Sequence, residues 1–133
     1  MSFTVDLHLH TTASDGTLTP TQMVKLLAEN GLKIVAITDH DSLEGIPEAK
    51  RELTNYPDMT LIPGVEISAD MDDSEVHVLG YHLDENNPAL QKVLAHFRKG
   101  REGRGEKMVE KLNEMGLAIT WERVVELAQG GAI

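Results

Sequence analysis

Strand-like and helix-like segments take turns over the first 85 residues, and that alternation predicts an α/β architecture, a parallel sheet with crossover helices. Phe3 to His8 reads as the first strand. Thr19 then offers an N-cap, with Pro20 at the first helical position and Gln22 three residues after the cap. Met23, Leu26 and Leu27 give that helix an apolar stripe up to Asn30-Gly31. Lys33 to Thr38 is a second strand, apolar on both faces as buried parallel strands are, and Asp41 or Ser42 can cap the helix that follows to about Leu53. Leu61 to Ser68 reads as strand three. Glu75 to His82 reads as strand four, reached through the acidic loop from Asp70 to Ser74. Four strands do not close a barrel.

From Asn87 the texture turns helical. Leu90, Val93, Leu94 and Phe97 fall at i, i+3, i+4 and i+7, and Met108, Leu112 and Met115 continue the stripe after a glycine-interrupted stretch. Gly116 stops it, and Thr120 caps a last helix carrying Val124, Val125 and Leu127 that runs out into residues 130–133. The one boundary this suggests lies near residue 85, dividing the four-stranded part, residues 1–85, from a helical segment, residues 86–133.

The chemistry gathers at strand ends. His8, His10 and Asp15 stand where the first strand gives way to a turn, and the alternation of strand side chains sends Asp6, His8 and His10 to one face and Val5, Leu7 and Leu9 to the other. Two imidazoles on one face beside carboxylates are costly without a cation to join them. His40 follows strand two, Glu66 lies in strand three, and His77 opens strand four. Sites in α/β sheets form where carboxyl ends of strands converge. That geometry suits His8, His10, Asp15, His40 and Glu66 directly, and His77, near its strand's start, less well.

These donors are imidazole and carboxylate, and the 133-residue chain has no cysteine, so the expected ions are zinc, manganese or iron without thiolate ligands. So many donors exceed the needs of one tetrahedral ion, which implies a cluster of two or three. The other polar residues nearby read differently. Asp39 and Asp41 suit helix capping or support of a ligand, Asp6 orients a neighbour, and His82 and His96 read as surface or partly buried polar residues.

The formal charge of −10 argues against non-specific attraction to nucleic acid, duplex DNA included, or to an anionic membrane. No basic start with an apolar stretch signals export, and no membrane-spanning run occurs, which suits a reducing cytoplasm. One local exception is basic: Arg98, Lys99, Arg101, Arg104 and Lys107 crowd together. Such a run is commonly a solvated helix face, but the three arginines recur every third residue, able to fork onto a phosphate. Gly100, Gly103 and Gly105 would allow close backbone approach.

His8-Leu-His10 with Thr11, Ser14-Asp-Gly16, the run from Thr38 to Gly45, Pro63-Gly-Val-Glu-Ile67 and His77-Val-Leu-Gly80 resemble, in order, the motifs of the PHP (polymerase and histidinol phosphatase) family. The likeness is greatest to its stand-alone bacterial metal-dependent phosphoesterases, whose helical insertion the stretch from Arg101 to Ile119 also resembles. The resemblance implies the N-terminal part of a distorted seven-stranded β/α barrel with a trinuclear metal centre that hydrolyses phosphate esters of nucleotides or short oligonucleotides. By position, His8, His10, Asp15, His40, Glu66 and His77 match family ligands.

Members of that branch are about twice as long, continuing past a Gly-Gly-Ala-Ile stretch with further strands and ligands. The expectation is therefore half a barrel, truncated within its helical segment, that self-associates or pairs with a complementary C-terminal piece. In the implied mechanism a metal-activated hydroxide attacks in line, Arg101 and Arg104 hold phosphate, and either His40 or a histidine of the missing half protonates the leaving oxygen. Two other readings compete: a metal hydrolase of the amidohydrolase kind, which also begins with His-x-His on strand one, and a non-catalytic metal-binding fragment.

Overall fold

The computed structural model describes residues 4–71, 74–128 and 131. Four strands, β1 (Val5–Leu9), β2 (Ile34–Ile37), β3 (Thr60–Met71) and β4 (Ser74–Tyr81), form one sheet in the order β1-β2-β3-β4. Helix α1 (Pro20–Glu29) links β1 to β2 and α2 (Ile46–Leu53) links β2 to β3; α3 (Pro88–Glu114) and α4 (Trp121–Ala128) follow β4. Phe3, the middle of the acidic loop and residues 130, 132 and 133 lie outside the described residues.

Local chemistry explains most of this. Thr19 caps α1 in a full capping box: its side chain accepts from the Gln22 backbone N–H, and the Gln22 side chain accepts from the Thr19 N–H. The buried stripe of α1 is Val24 and Leu27, while Leu26 is exposed, so the helix is rotated from the expected Met23-Leu26-Leu27 face. Val24, Leu27, Ile46 and Ala49 pack with Val35, Ile37, Leu61 and Val65 to make the core between the two helices and the sheet.

Three expectations are corrected. Only β1, β2 and β3 run parallel; β4 turns back antiparallel on β3, which extends to Met71 and so reaches past the neighbouring strands. A short hairpin connection suffices for antiparallel pairing, whereas a parallel fourth strand would need a crossover longer than the acidic loop provides. Helix α2 begins at Ile46 after Gly45, with no side-chain cap, because Asp41 and Ser42 lie well before its first turn. Helix α3 runs unbroken for 27 residues, so the glycines at 100, 103 and 105 do not interrupt it.

The sheet is strongly curled. β1 and β4 are its opposite edges, about 14 Å apart across three flat strand spacings. Yet the Tyr81 hydroxyl, on the face that carries Glu66 and His77, donates to the Leu7 carbonyl at 2.9 Å. Among the described residues no helix is long and apolar enough to cross a membrane.

Candidate metal centre

β1 does not alternate throughout. Its register against β2 slips by one residue between Asp6 and Leu9, so His8 and His10 share a face while Asp6 stands apart and accepts the His8 backbone N–H at 3.2 Å. His40 and Asp41 extend β2 by a bridge to Glu66: the Asp41 N–H donates to the Glu66 carbonyl at 2.9 Å. Because β4 is antiparallel, its start lies at the carboxyl end of β3, and His77 sits opposite Ser68, two residues beyond Glu66. That direction removes the difficulty of a ligand near its strand's beginning.

The buried Glu66 carboxylate is the hub. Oε2 lies 2.9 Å from His8 Nε2, 3.0 Å from His10 Nε2 and 3.6 Å from His40 Nε2, and Oε1 lies 2.6 Å from His77 Nδ1. Asp15, exposed at the loop tip, stands 3.2 Å from His10 Nδ1 and 3.7 Å from His40 Nε2. The rings form a chain, with centroids 5.1 Å apart for His8 and His10, 4.8 Å for His10 and His40, and 5.1 Å for His40 and His77.

Three overlapping triads have ligand atoms within 4.8 Å of one another: His8 with His10 and Glu66, His10 with Asp15 and His40, and His40 with Glu66 and His77. The donor set fits divalent metal. It mixes imidazole and carboxylate without thiolate, and His40 Nδ1 is buried with no hydrogen-bond partner. Burial lowers the His40 imidazole below the usual histidine range despite the Glu66 and Asp15 carboxylates, so the ring is held neutral, the form that ligates. Burial raises the Glu66 carboxyl, but hydrogen bonds from His8 and His77, together with the surrounding imidazoles, outweigh it and leave the group below its ordinary range, ionised.

A second set of residues holds the first. Asp39, almost wholly buried, accepts from the Thr11 N–H at 2.6 Å, the Thr11 hydroxyl at 2.8 Å and the Ser14 hydroxyl at 2.7 Å, fixing the loop that carries His10 and Asp15. That matches the supporting role read for it. In the same loop a Cβ on Gly16 would collide with the His10 carbonyl. Asp41, at φ 49°, caps no helix; its Oδ2 accepts from Arg101 at 2.6 Å and its carbonyl from Arg98 at 2.8 Å. The Thr11, Ser14 and Ser68 hydroxyls were not foreseen, since small polar residues in turns give no signal of their distant partners.

The arginine triplet is thus divided. Arg98 is spent on the Asp41 carbonyl and on Glu44, at 3.0 Å. Arg101 reaches Asp41 and, at 3.1 Å, the Ser68 hydroxyl, and with Arg104 lines a hollow beside Asp41. His82 and His96 are exposed and belong to none of the triads.

The PHP domain family model matches residues 6–114. The chain is 41% identical over 129 residues to the 5′-3′ exoribonuclease Rnm of Salmonella typhimurium, covering 96% of this chain and 44% of that protein. It is 35% identical over 114 residues to the 3′,5′-nucleoside bisphosphate phosphatase of Chromobacterium violaceum, covering 86% and 40%. Among solved structures, a Bifidobacterium adolescentis protein assigned to the metal-dependent phosphoesterases superposes with a TM-score of 0.87 at 35% identity, covering 98% of this chain and 45% of that one. An amidohydrolase from Chromobacterium violaceum with bound sulfate and no metal superposes at 0.82 and 34% identity, covering 90% and 42%. The chain spans less than half the length of each of these relatives.

Proposed function

The chain belongs to the PHP domain family, and from that premise we propose that it is the ligand-bearing part of a hydrolase acting on phosphate esters of nucleotides or short oligonucleotides. The observation that carries this is the convergence of four imidazoles on one buried carboxylate, with Asp15 closing a third triad. We assign His8, His10, Asp15, His40, Glu66 and His77 as ligands to two or three ions of zinc, manganese or iron. Bound divalent ions supply Lewis acidity, acidifying the attacking water and neutralising phosphoryl oxygens.

The chain's own residues do the rest. Glu66 bridges neighbouring triads and keeps the imidazoles aimed inward; Asp39 holds the Asp15 loop. Of the two roles open to His40, ligation is the one that its place in two of the three triads serves. Arg101 and Arg104 bind a phosphate at the edge of the centre, so that residues 1–85 hold metal and residues 86–133 contribute anion recognition. Exposed Val5, Leu7 and Ile34 on the sheet favour association with a second polypeptide or a second copy of the chain.

The likeness to an amidohydrolase supports amide hydrolysis as a second reading. The test is phosphate release from a nucleoside 3′,5′-bisphosphate and from a 5′-phosphorylated oligoribonucleotide, beside hydrolysis of an amide panel, with metal content measured on the same sample. Phosphate release that disappears in Glu66→Gln supports the proposal. Amide hydrolysis alone selects the second reading, and retained metal without either activity leaves a metal-binding fragment.

A further inference from the structure

Beside the ligand cluster a hollow of about 250 Å³ opens between α3 and the sheet. Phe97, Gly100, Arg101 and Arg104 line it from α3, facing Asp41 and Ser68. Spacings of three, four and seven residues put the α3 set on one helix face. Asp41 directly follows the ligand His40, and Ser68 lies opposite the ligand His77, so the hollow is an annex of the centre.

Its composition is uneven in a telling way. Phe97 leaves 38% of its surface exposed, with the His96 ring tilted at 51° beside it and centroids 6.4 Å apart. One turn on, Gly100 has no side chain, and a Cβ there would touch nothing within 4 Å. The result is an open apolar shelf bordered by an aromatic face. At the other end, Arg101 Nε and Asp41 Oδ1 are buried and unpaired. From Phe97 to Arg101 or Arg104 the helix rises about 6–10 Å, comparable to the span from a nucleotide's base to its phosphate.

We propose that the Phe97–Gly100 shelf stacks the base of a nucleotide whose phosphate is held at Arg101 and Arg104. This rests on the phosphoester reading above and adds a recognition element to it. Aromatic stacking accepts any base, because each presents a π face, so the shelf gives affinity for nucleotides over other phosphate esters without sequence preference. Gly100 is required because a side chain there would occupy the place of the base.

Calorimetric binding of adenosine 3′,5′-bisphosphate, compared with the base-free ribitol bisphosphate, tests this on the chain and three variants. The unsubstituted chain is expected to prefer the adenosine compound about tenfold or more. Phe97→Ala and Gly100→Leu are expected to abolish that preference while base-free binding persists, and Phe97→Trp to retain it. Gly100→Leu raises helix propensity in open space, so its loss of preference cannot come from unfolding. Preference retained in both Phe97→Ala and Gly100→Leu, or equal binding of the two compounds by the unsubstituted chain, overturns the shelf and leaves the phosphoester reading standing. Binding of neither compound overturns both.

Discussion

Tyr81, at the end of β4, reaches across the concave face of the sheet and donates its hydroxyl to the carbonyl of Leu7 in β1. This single contact ties together the two edges of a four-stranded sheet. Tyr81→Phe removes the donor and keeps the ring. The expected loss is about 0.5–1.5 kcal/mol, the usual net worth of one hydrogen bond, seen as a lower denaturant midpoint at unchanged slope. An unchanged midpoint would mean that packing alone sets the curl.

Asp39 belongs to none of the three triads, yet it organises Thr11 and Ser14. Asp39→Asn puts an amide where three donors converge. Metal affinity is expected to fall about 10- to 100-fold, the usual effect of losing a partner behind the ligands, with stability down about 1–3 kcal/mol. Metal titration and thermal unfolding of the same variant check the two effects separately.

Metal retention sorts the histidines. His8→Ala combined with His10→Ala disrupts every triad that contains either residue, whereas His82→Ala and His96→Ala disrupt none. Elemental analysis after dialysis is expected to show a large loss for the first pair and none for the others. Equal losses would refute the assignment of ligands.

The Lys50 ammonium donates to the Glu85 carboxylate, bridging α2 and the turn before α3, and this hydrogen bond holds the Glu85 carboxyl below its ordinary range. A carboxyl depressed in the folded state contributes stability that is present above its unfolded pKa and is lost as pH falls through the folded value. Glu85→Gln is expected to narrow its stability deficit as pH drops below the ordinary carboxylate range. A deficit constant with pH would show that the ion pair contributes nothing.

Exposed Val5 and Ile34 are neighbours across β1 and β2. Sedimentation velocity of the chain over a concentration series is expected to show association, and Val5→Ser with Ile34→Ser to weaken it. A monomer at every concentration would refute self-association and leave only a second polypeptide as the partner.

Sequence alone determined the elements and their chemistry. The capping box at Thr19, the apolar β2 and the histidines at strand ends are encoded within a few residues, so they are legible without the fold, and all six assigned donors do converge. What lay beyond sequence depended on partners far along the chain. The antiparallel turn of β4, which brings His77 to Glu66, follows from pairing geometry across a loop. The slip that separates Asp6 from His8 arises from register against β2. Asp41 turned from a helix cap into the anchor of Arg101 because α3, 60 residues later, lies across it. Local propensity decides which residues form an element; only packing decides which elements meet, and the site is made where they meet.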